Sequence, residues 1–291
     1  MLKKLRWPDY LILMVLLAAA VVIWVRVEGV LVYEWRWHII PNYLLRYDEE
    51  AGRWVTNLLT QGLISTIRIS LMSGFLALIL GTVLGVARCM QNLTIRMLAR
   101  TYLEVLRNVP PVVVIFIFYF FLSEQLIAAF LIEDWSRTIA RSDQGWIWAL
   151  VFGDMRLFPS LISGVLVLAL FESAFVGEIV RAGIQSVDRG QREAARSIGL
   201  SRLDELRFIV LPQALRKVVP PLANQFITLV KDSSIISLIS VQELTYKTAA
   251  VVSSTRAIFE AWITAAVLYG LLCFGLSLVF RRLEGQASRH G

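Results

Sequence analysis

Cysteine and histidine are close to absent: Cys89, Cys273, His38 and His290 are all that 291 residues contain. With no Cys-x-x-Cys pair among them, neither a disulfide framework nor a metal cluster is indicated, and no metal site is expected. Equally missing is any Gly-Lys dipeptide. The Gly-x-x-x-x-Gly-Lys-Ser/Thr loop that cradles nucleotide phosphates therefore has no counterpart, so this chain by itself should neither bind nor hydrolyse ATP. Charge is sparse as well, at 18% of residues. Low-complexity tracts, short repeats and a separate soluble domain are not in evidence.

What is present is apolar. Hydrophobic residues make up 57% of the chain, aromatics 11%, and the mean hydropathy is +0.66, well above soluble domains. The class is all-α, a polytopic helical membrane protein. Six apolar runs read as spans: Tyr10 to Val25, Leu63 to Val86, Pro110 to Leu131, Leu157 to Ile184, Val218 to Val241 and Ile258 to Phe280. The first is shorter than the roughly 20 residues a hydrocarbon core needs, and Trp7 must help it. Its basic Met1 to Arg6 lead resembles a secretory signal, but the run continues past the small residues Ala18 to Ala20, which favours an uncleaved anchor.

The net charge of +7 is informative through its placement. With the amino terminus inside, Lys3, Lys4, Arg6, Arg88, Arg96, Arg100, Arg107, the Arg181 to Lys217 region, Arg281, Arg282 and Arg289 are cytoplasmic, as the positive-inside rule requires. Both termini then face the cytoplasm, and nucleic acid is not an expected partner. Residues 26–58 and 133–158 fall outside, rich in tryptophan that suits an interfacial belt. Trp146 to Phe152 is apolar but too short to span, and fits either an interfacial helix or a loop over the external mouth.

One charged island interrupts this pattern. Residues Glu193 to Pro212 read EAARSIGLSRLDELRFIVLP. Glu193, Ala194 and Ala195 favour a helix, Gly199 suits the left-handed residue that ends one, and Ser201 with Asp204 has capping-box spacing for a second helix that Pro212 limits. Small side chains at Ala194 and Ala195 would let the first helix sit in a partner's groove; the alternative is an amphipathic loop helix on the membrane. The run fits, without a gap, Glu-Ala-Ala, three residues, Gly, nine residues, Ile-x-Leu-Pro.

That spacing resembles the cytoplasmic signature of permease subunits of bacterial ABC importers. Glu178 to Gly183, Gly190, Tyr102 to Arg107 before Pro110, Lys231 to Ile235 and Val241 to Leu244 are similar to the polar-amino-acid branch, over roughly Gly62 to Glu284. The resemblance implies a five-helix type I importer core plus one N-terminal helix: an anchor and external segment at 1–61, a transmembrane domain at 62–284 with a coupling loop at 188–217, and a tail at 285–291. It also implies ATPase coupling by Gly190, Glu193, Ala194, Ala195, Gly199, Ile209, Leu211 and Pro212. The expected partners are two ATPase subunits carrying ATP and magnesium, a second permease chain, identical or homologous, and an external substrate-binding protein, all at the bacterial inner membrane.

Intramembrane polar residues are the candidates for the solute path. Glu172 interrupts an apolar span where relatives often carry a neutral residue; an acid at mid-membrane costs about 2.5–3.5 kcal/mol on insertion scales, so it should face a cavity or pair with a Lys or Arg. It could meet a substrate ammonium or serve an internal pair. Lys231, Asp232 and Ser233 fit an unwound, cavity-lining stretch. Arg68 is read as snorkelling, Glu104 and Arg107 as a helix-end pair, and Pro110-Pro111 and Pro220-Pro221 as helix starts. The expected cargo is an amino acid, with an opine or another organic cation as the alternative. An ion channel lacks support because no carboxylate ring or Thr-Val-Gly-Tyr-Gly filter occurs. An integral-membrane enzyme is disfavoured because both histidines lie outside the spans and the cysteines are far apart.

Overall fold

The structure is a computed structural model, and it describes residues 7–30, 33–50, 52–142, 145–201 and 204–287. The basic lead, Leu203 and Arg289 lie outside the described residues. Contacts divide the chain into two units, 1–39 and 40–291. In the first, helix α1 (Trp7–Val30) runs 24 residues, about 36 Å at 1.5 Å per residue. The aromatic run that follows packs on itself, with Trp35 stacked on Trp37 at 5.9 Å and Tyr33 edge-on to Trp35 at 5.2 Å.

The second unit opens with the short α2 (Ile40–Leu44) and an antiparallel hairpin, β1 (Leu45–Asp48) and β2 (Arg53–Thr56), in which Tyr47 faces Trp54. Asn57 then caps α3 (Leu58–Ala87): its carboxamide oxygen accepts from the Leu58 amide at 2.8 Å and its nitrogen donates to the Asn42 carbonyl. Asn92 caps the amphipathic α4 (Leu93–Asn108) by accepting the Ile95 amide three residues on at 3.1 Å. α5 (Pro111–Phe118) passes through a π-helical turn, Tyr119–Ser123, into α6 (Glu124–Ala129). The polar α7 (Ile132–Arg141) and the apolar α8 (Gly145–Phe152) make two helices of the 133–158 segment, and α9 (Phe158–Gln185) follows. After α10 (Arg189–Ser197), a π-helical stretch at Glu205–Val210 leads directly into α11 (Leu211–Asp232) and a 3-10 segment, Ser233–Ile239. α12 (Leu244–Thr255) and α13 (Ile258–Ala287) close the chain.

Among the described residues, four stretches are long and apolar enough to cross a membrane singly: Leu58–Ala87, Pro111–Ala129, Met155–Gln185 and Ile258–Leu283. A fifth is a broken pair, Glu205–Ile239 with Leu244–Thr255, bent by 52°. This corrects the simple span read at Val218 to Val241. The break has a local cause: Ser240 takes a left-handed conformation (φ 62°), and Glu243 caps a new helix by accepting the Tyr246 amide at 2.8 Å. Pro220 and Pro221 lie inside α11 rather than at a helix start, which membrane helices tolerate where neighbouring groups satisfy the freed carbonyls. Pro110 and Pro111 do sit at a start, as N-cap and first helical residue.

α9 is the central helix, with 72% of its apolar window buried against 6% for α13. It packs along α3 at a glycine crossing. A Cβ on Gly81 would lie 2.5 Å from the Val176 Cβ, and one on Gly85 2.6 Å from the Gly177 carbonyl oxygen. Only glycine lets these backbones meet. An apolar cluster around Ile69, Leu168, Leu229 and Ile236 fills one half of the bundle; Val176, Val180, Val210 and Val218 fill the half nearer α10.

Candidate functional site: a coupling island and a half-satisfied carboxyl

The island folds as two arms joined by a tight turn. Asp188 caps α10 by accepting the Gly190 amide at 2.6 Å. At the other end Gly199 has φ +81°, the Leu200 amide donates to the Ala195 carbonyl at 3.1 Å, and the Gly199 amide donates to Arg196 at 3.0 Å. This is the paired bonding of a Schellman stop. Ser201 accepts the Asp204 amide at 3.2 Å and donates to its carboxylate at 2.6 Å. Arg196 reaches across the turn to the buried Glu205 at 2.8 Å, and that carboxylate raises the guanidinium pKa further.

The island is tied to the bundle at two points. Arg192 donates to the Ile184 carbonyl at the end of α9, and Lys217 donates to the Ser186 carbonyl at 2.7 Å. Gly190, Glu193, Ala194, Gly199, Leu211 and Pro212 are exposed, and Ile209 is half-buried. Ala195 departs from expectation: it is 3% exposed, buried against its own chain, so it cannot enter a partner's groove. Its small size serves internal packing instead. Pro212 sits in the first turn of α11 rather than ending a helix. Sequence reading missed Ile198 and Phe208, which are 77% and 60% exposed beside these residues. An isoleucine closing an otherwise polar helix was the available signal.

Next to the island, Glu178 of α9 binds Arg88, Arg107 at 3.5 Å, and Arg181. Arg107 thus pairs with Glu178, while Glu104 pairs with Arg100 at 2.6 Å one helical turn away. Arg68 does not snorkel: it donates to the carbonyls of Leu150 at 3.0 Å and Ala149 at 3.5 Å, closing the end of α8. Cys89 lies beside Arg181, Arg192 and Arg88, yet burial outweighs these cations and pushes its thiol pKa up. Burial likewise raises Tyr102, whose hydroxyl joins α4 to α9 through the Leu170 carbonyl at 3.0 Å and Ser173.

Glu172 is 0% exposed, and no Lys or Arg meets it among the described residues. One carboxyl oxygen accepts from the Gln225 amide of α11 at 2.8 Å; the other has no hydrogen-bond partner. Asp232 lies against the same group. Together with Gln225, Glu172 lines a cavity of 560 Å³ whose remaining wall is apolar, including Phe75, Val176, Phe226 and Phe280 from α3, α9, α11 and α13. Of the other expected path residues, Lys231 is exposed and Ser233 is buried with its hydroxyl donating to the Val230 carbonyl at 2.7 Å; neither lines this cavity. The stretch is tightened into 3-10 turns rather than unwound. Gln225, which follows Asn224 and directly precedes Phe226, went unnoticed in sequence because its partner is 53 residues away.

Comparisons with known proteins agree with the geometry. The family described as binding-protein-dependent transport system inner membrane component matches residues 63–289. A probable glutamine ABC transporter permease protein, GlnM of Bacillus subtilis, is 35% identical over 219 residues, 74% of this chain and 88% of its own length. The glutamine transport system permease protein GlnP of Escherichia coli K12 is 31% identical over 240 residues, covering 82% and 97%. Among solved structures, an amino acid ABC transporter crystallised with histidines superposes with a TM-score of 0.63 at 30% identity, over 79% of this chain and 94% of that one. The MetNI methionine ABC transporter in an inward-facing form shares the fold, with a TM-score of 0.53 at 18% identity over 77% of this chain and 95% of that one. With five bent or straight apolar spans, a Glu-Ala-Ala island and a type I importer fold, the chain belongs to the binding-protein-dependent transport system inner membrane components, as a permease subunit.

Proposed function

We propose that this permease carries an amino acid across the bacterial inner membrane, with Glu172 meeting a cationic group of the cargo. The observation that carries this reading is the half-satisfied carboxyl on an otherwise apolar cavity. Burial and the neighbouring Asp232 leave this acid without a positive partner, and a cationic cargo group would supply one in surroundings where a charge contact is stronger than in water. The relatives named as glutamine permeases support an amino acid. The acid supports an ammonium or guanidinium contact, and an opine or another organic cation is the second reading on the same group.

In this account ATP and magnesium bind two partner ATPase subunits, since no phosphate loop exists in this chain. The exposed Gly190, Glu193, Ala194 and Gly199, with Ile198, Phe208, Leu211 and Pro212, form the docking face, and Arg192 and Lys217 pass its movement to α9 and α11. A second permease chain, identical or homologous, completes the path. A binding protein delivers cargo on the side opposite α10, both termini are cytoplasmic, and the first unit is a membrane anchor. Co-reconstitution of the permease with its ATPase and binding protein in liposomes tests the whole: ATP-dependent uptake of radiolabelled glutamine or arginine is expected, and uptake of neither, with hydrolysis intact, overturns the amino-acid assignment.

A further inference from the structure

A second cavity lies at the end of the bundle away from α10. Its volume is 230 Å³, and it is enclosed by the start of α3, the Phe152–Asp154 turn, the start of α9 and the turn into α12. Unlike the Glu172 cavity it is rich in donors. Lys247 is half-buried there, and its ammonium has a neutral partner, the Gln242 carboxamide oxygen at 2.7 Å. No acid lies within ion-pair distance of Lys247 among the described residues. The Gln242 oxygen is thereby committed to accepting, which leaves its NH2 and the remaining ammonium hydrogens as donors facing the cavity. Arg68 adds a second positive group, and Asp154, which caps the turn before α9 through the Arg156 amide, is the one acid lining the space. A half-buried cation whose hydrogen-bond partner is neutral favours an anion of its own size.

The placement gives this site a use. Gln61, Ser65 and Arg68 continue on α3 as Leu71, Phe75 and Leu78, one stripe at helical spacing that runs from this cavity into the wall of the Glu172 cavity. Along α9 the step from Leu161 to Glu172 is about 16 Å at 1.5 Å per residue, too long for one amino acid to bridge. The apolar cluster containing Ile69, Leu168 and Leu229 lies between, with Ile69 lining one cavity and Leu229 the other.

We propose that the Lys247 cavity is a carboxylate-binding station, which holds the α-carboxylate of an incoming amino acid before the apolar layer opens toward Glu172. Lys247 supplies the charge and Gln242 a directed donor. The inference rests on the permease reading above, and ATP-dependent uptake by the unmodified complex tests that reading separately.

The test uses the full chain in nanodiscs, with Cys89 and Cys273 replaced by serine and a reporter thiol introduced as Ser65→Cys, or as Gln61→Cys should the first label too slowly. Maleimide labelling is followed with L-glutamine, L-arginine, the corresponding carboxamides, or inorganic phosphate. The two amino acids should slow labelling about threefold at twice their Kd, from simple occupancy, and the carboxamides should not. Lys247→Gln should abolish that protection and Lys247→Arg should restore it. Equal protection by carboxamides or by phosphate, or protection unchanged in Lys247→Gln, would overturn the proposal, as would no protection in either reporter.

Discussion

Two glutamates, Glu172 and Glu243, are each 0% exposed in the same bundle, but their surroundings differ in kind. Both oxygens of Glu243 are engaged. One accepts the Tyr246 amide at 2.8 Å; the other accepts the Tyr269 hydroxyl at 2.5 Å and the Thr66 hydroxyl at 3.5 Å. Thr66 in turn accepts the Leu244 amide at 3.1 Å, so α3, α12 and α13 share one polar joint. Glu172 has Gln225 for one oxygen, no donor for the other, and the Asp232 carboxyl lying against it. A buried acid costs several kcal/mol unless its lone pairs are satisfied, so the first arrangement is complete within the chain and the second lacks a donor. The difference separates a fully bonded carboxyl from a partly bonded one where residue type and burial do not.

This contrast can be broken by substitution. The largest effect is expected at Glu243→Leu, which removes a helix cap and the shared acceptor of the Tyr269 and Thr66 hydroxyls: stability should fall by about 3 kcal/mol, read as a lowered Tm in detergent. Gly199→Val acts far from both acids and serves as a control for transport loss. No atom lies within 4 Å of an added Cβ there, so strain at positive φ, about 1–2 kcal/mol, is the sole cost. ATPase co-purification and uptake should drop about tenfold while Tm moves little, and Gly199→Asn, which tolerates that φ, should recover most of both. Tyr269→Phe should cost about 1 kcal/mol, within the range for intramembrane hydrogen bonds. Smallest of all, Glu172→Leu should change stability by less than about 1 kcal/mol, because the penalty removed offsets the orphaned Gln225 amide. A loss there as large as at Glu243 would make Glu172 structural and close the comparison.

What the sequence makes visible follows the range of the interactions involved. The island is legible because its determinants are local: Gly199 needs no partner to favour a left-handed stop, and Ser201 caps a residue three places on. Glu172 is legible as an acid inside an apolar run. Its partner Gln225 is not, nor is the Glu243 joint, since Val241-Gln-Glu-Leu reads as an ordinary loop until Thr66 and Tyr269 arrive from 177 and 26 residues away. The same limit explains Ala195, whose burial depends on tertiary packing, and Arg68, whose carbonyl partners lie on α8 some 82 residues on. Pro220 and Pro221 mislead for another reason: the rule that proline starts helices assumes water-exposed ends, and α11 runs through them within the bundle.

In the proposed function, the Glu172 carboxyl, short of a donor on one oxygen, meets a cationic cargo. That contact is tested most directly by Glu172→Gln in the reconstituted complex, with uptake and substrate-stimulated ATP hydrolysis measured for arginine and glutamine side by side. Assembly and basal hydrolysis should stay normal, with arginine transport reduced about tenfold or more relative to glutamine, the scale of one lost charge contact of about 1.4 kcal/mol. Equal transport of both substrates by the variant and the unmodified permease would contradict it.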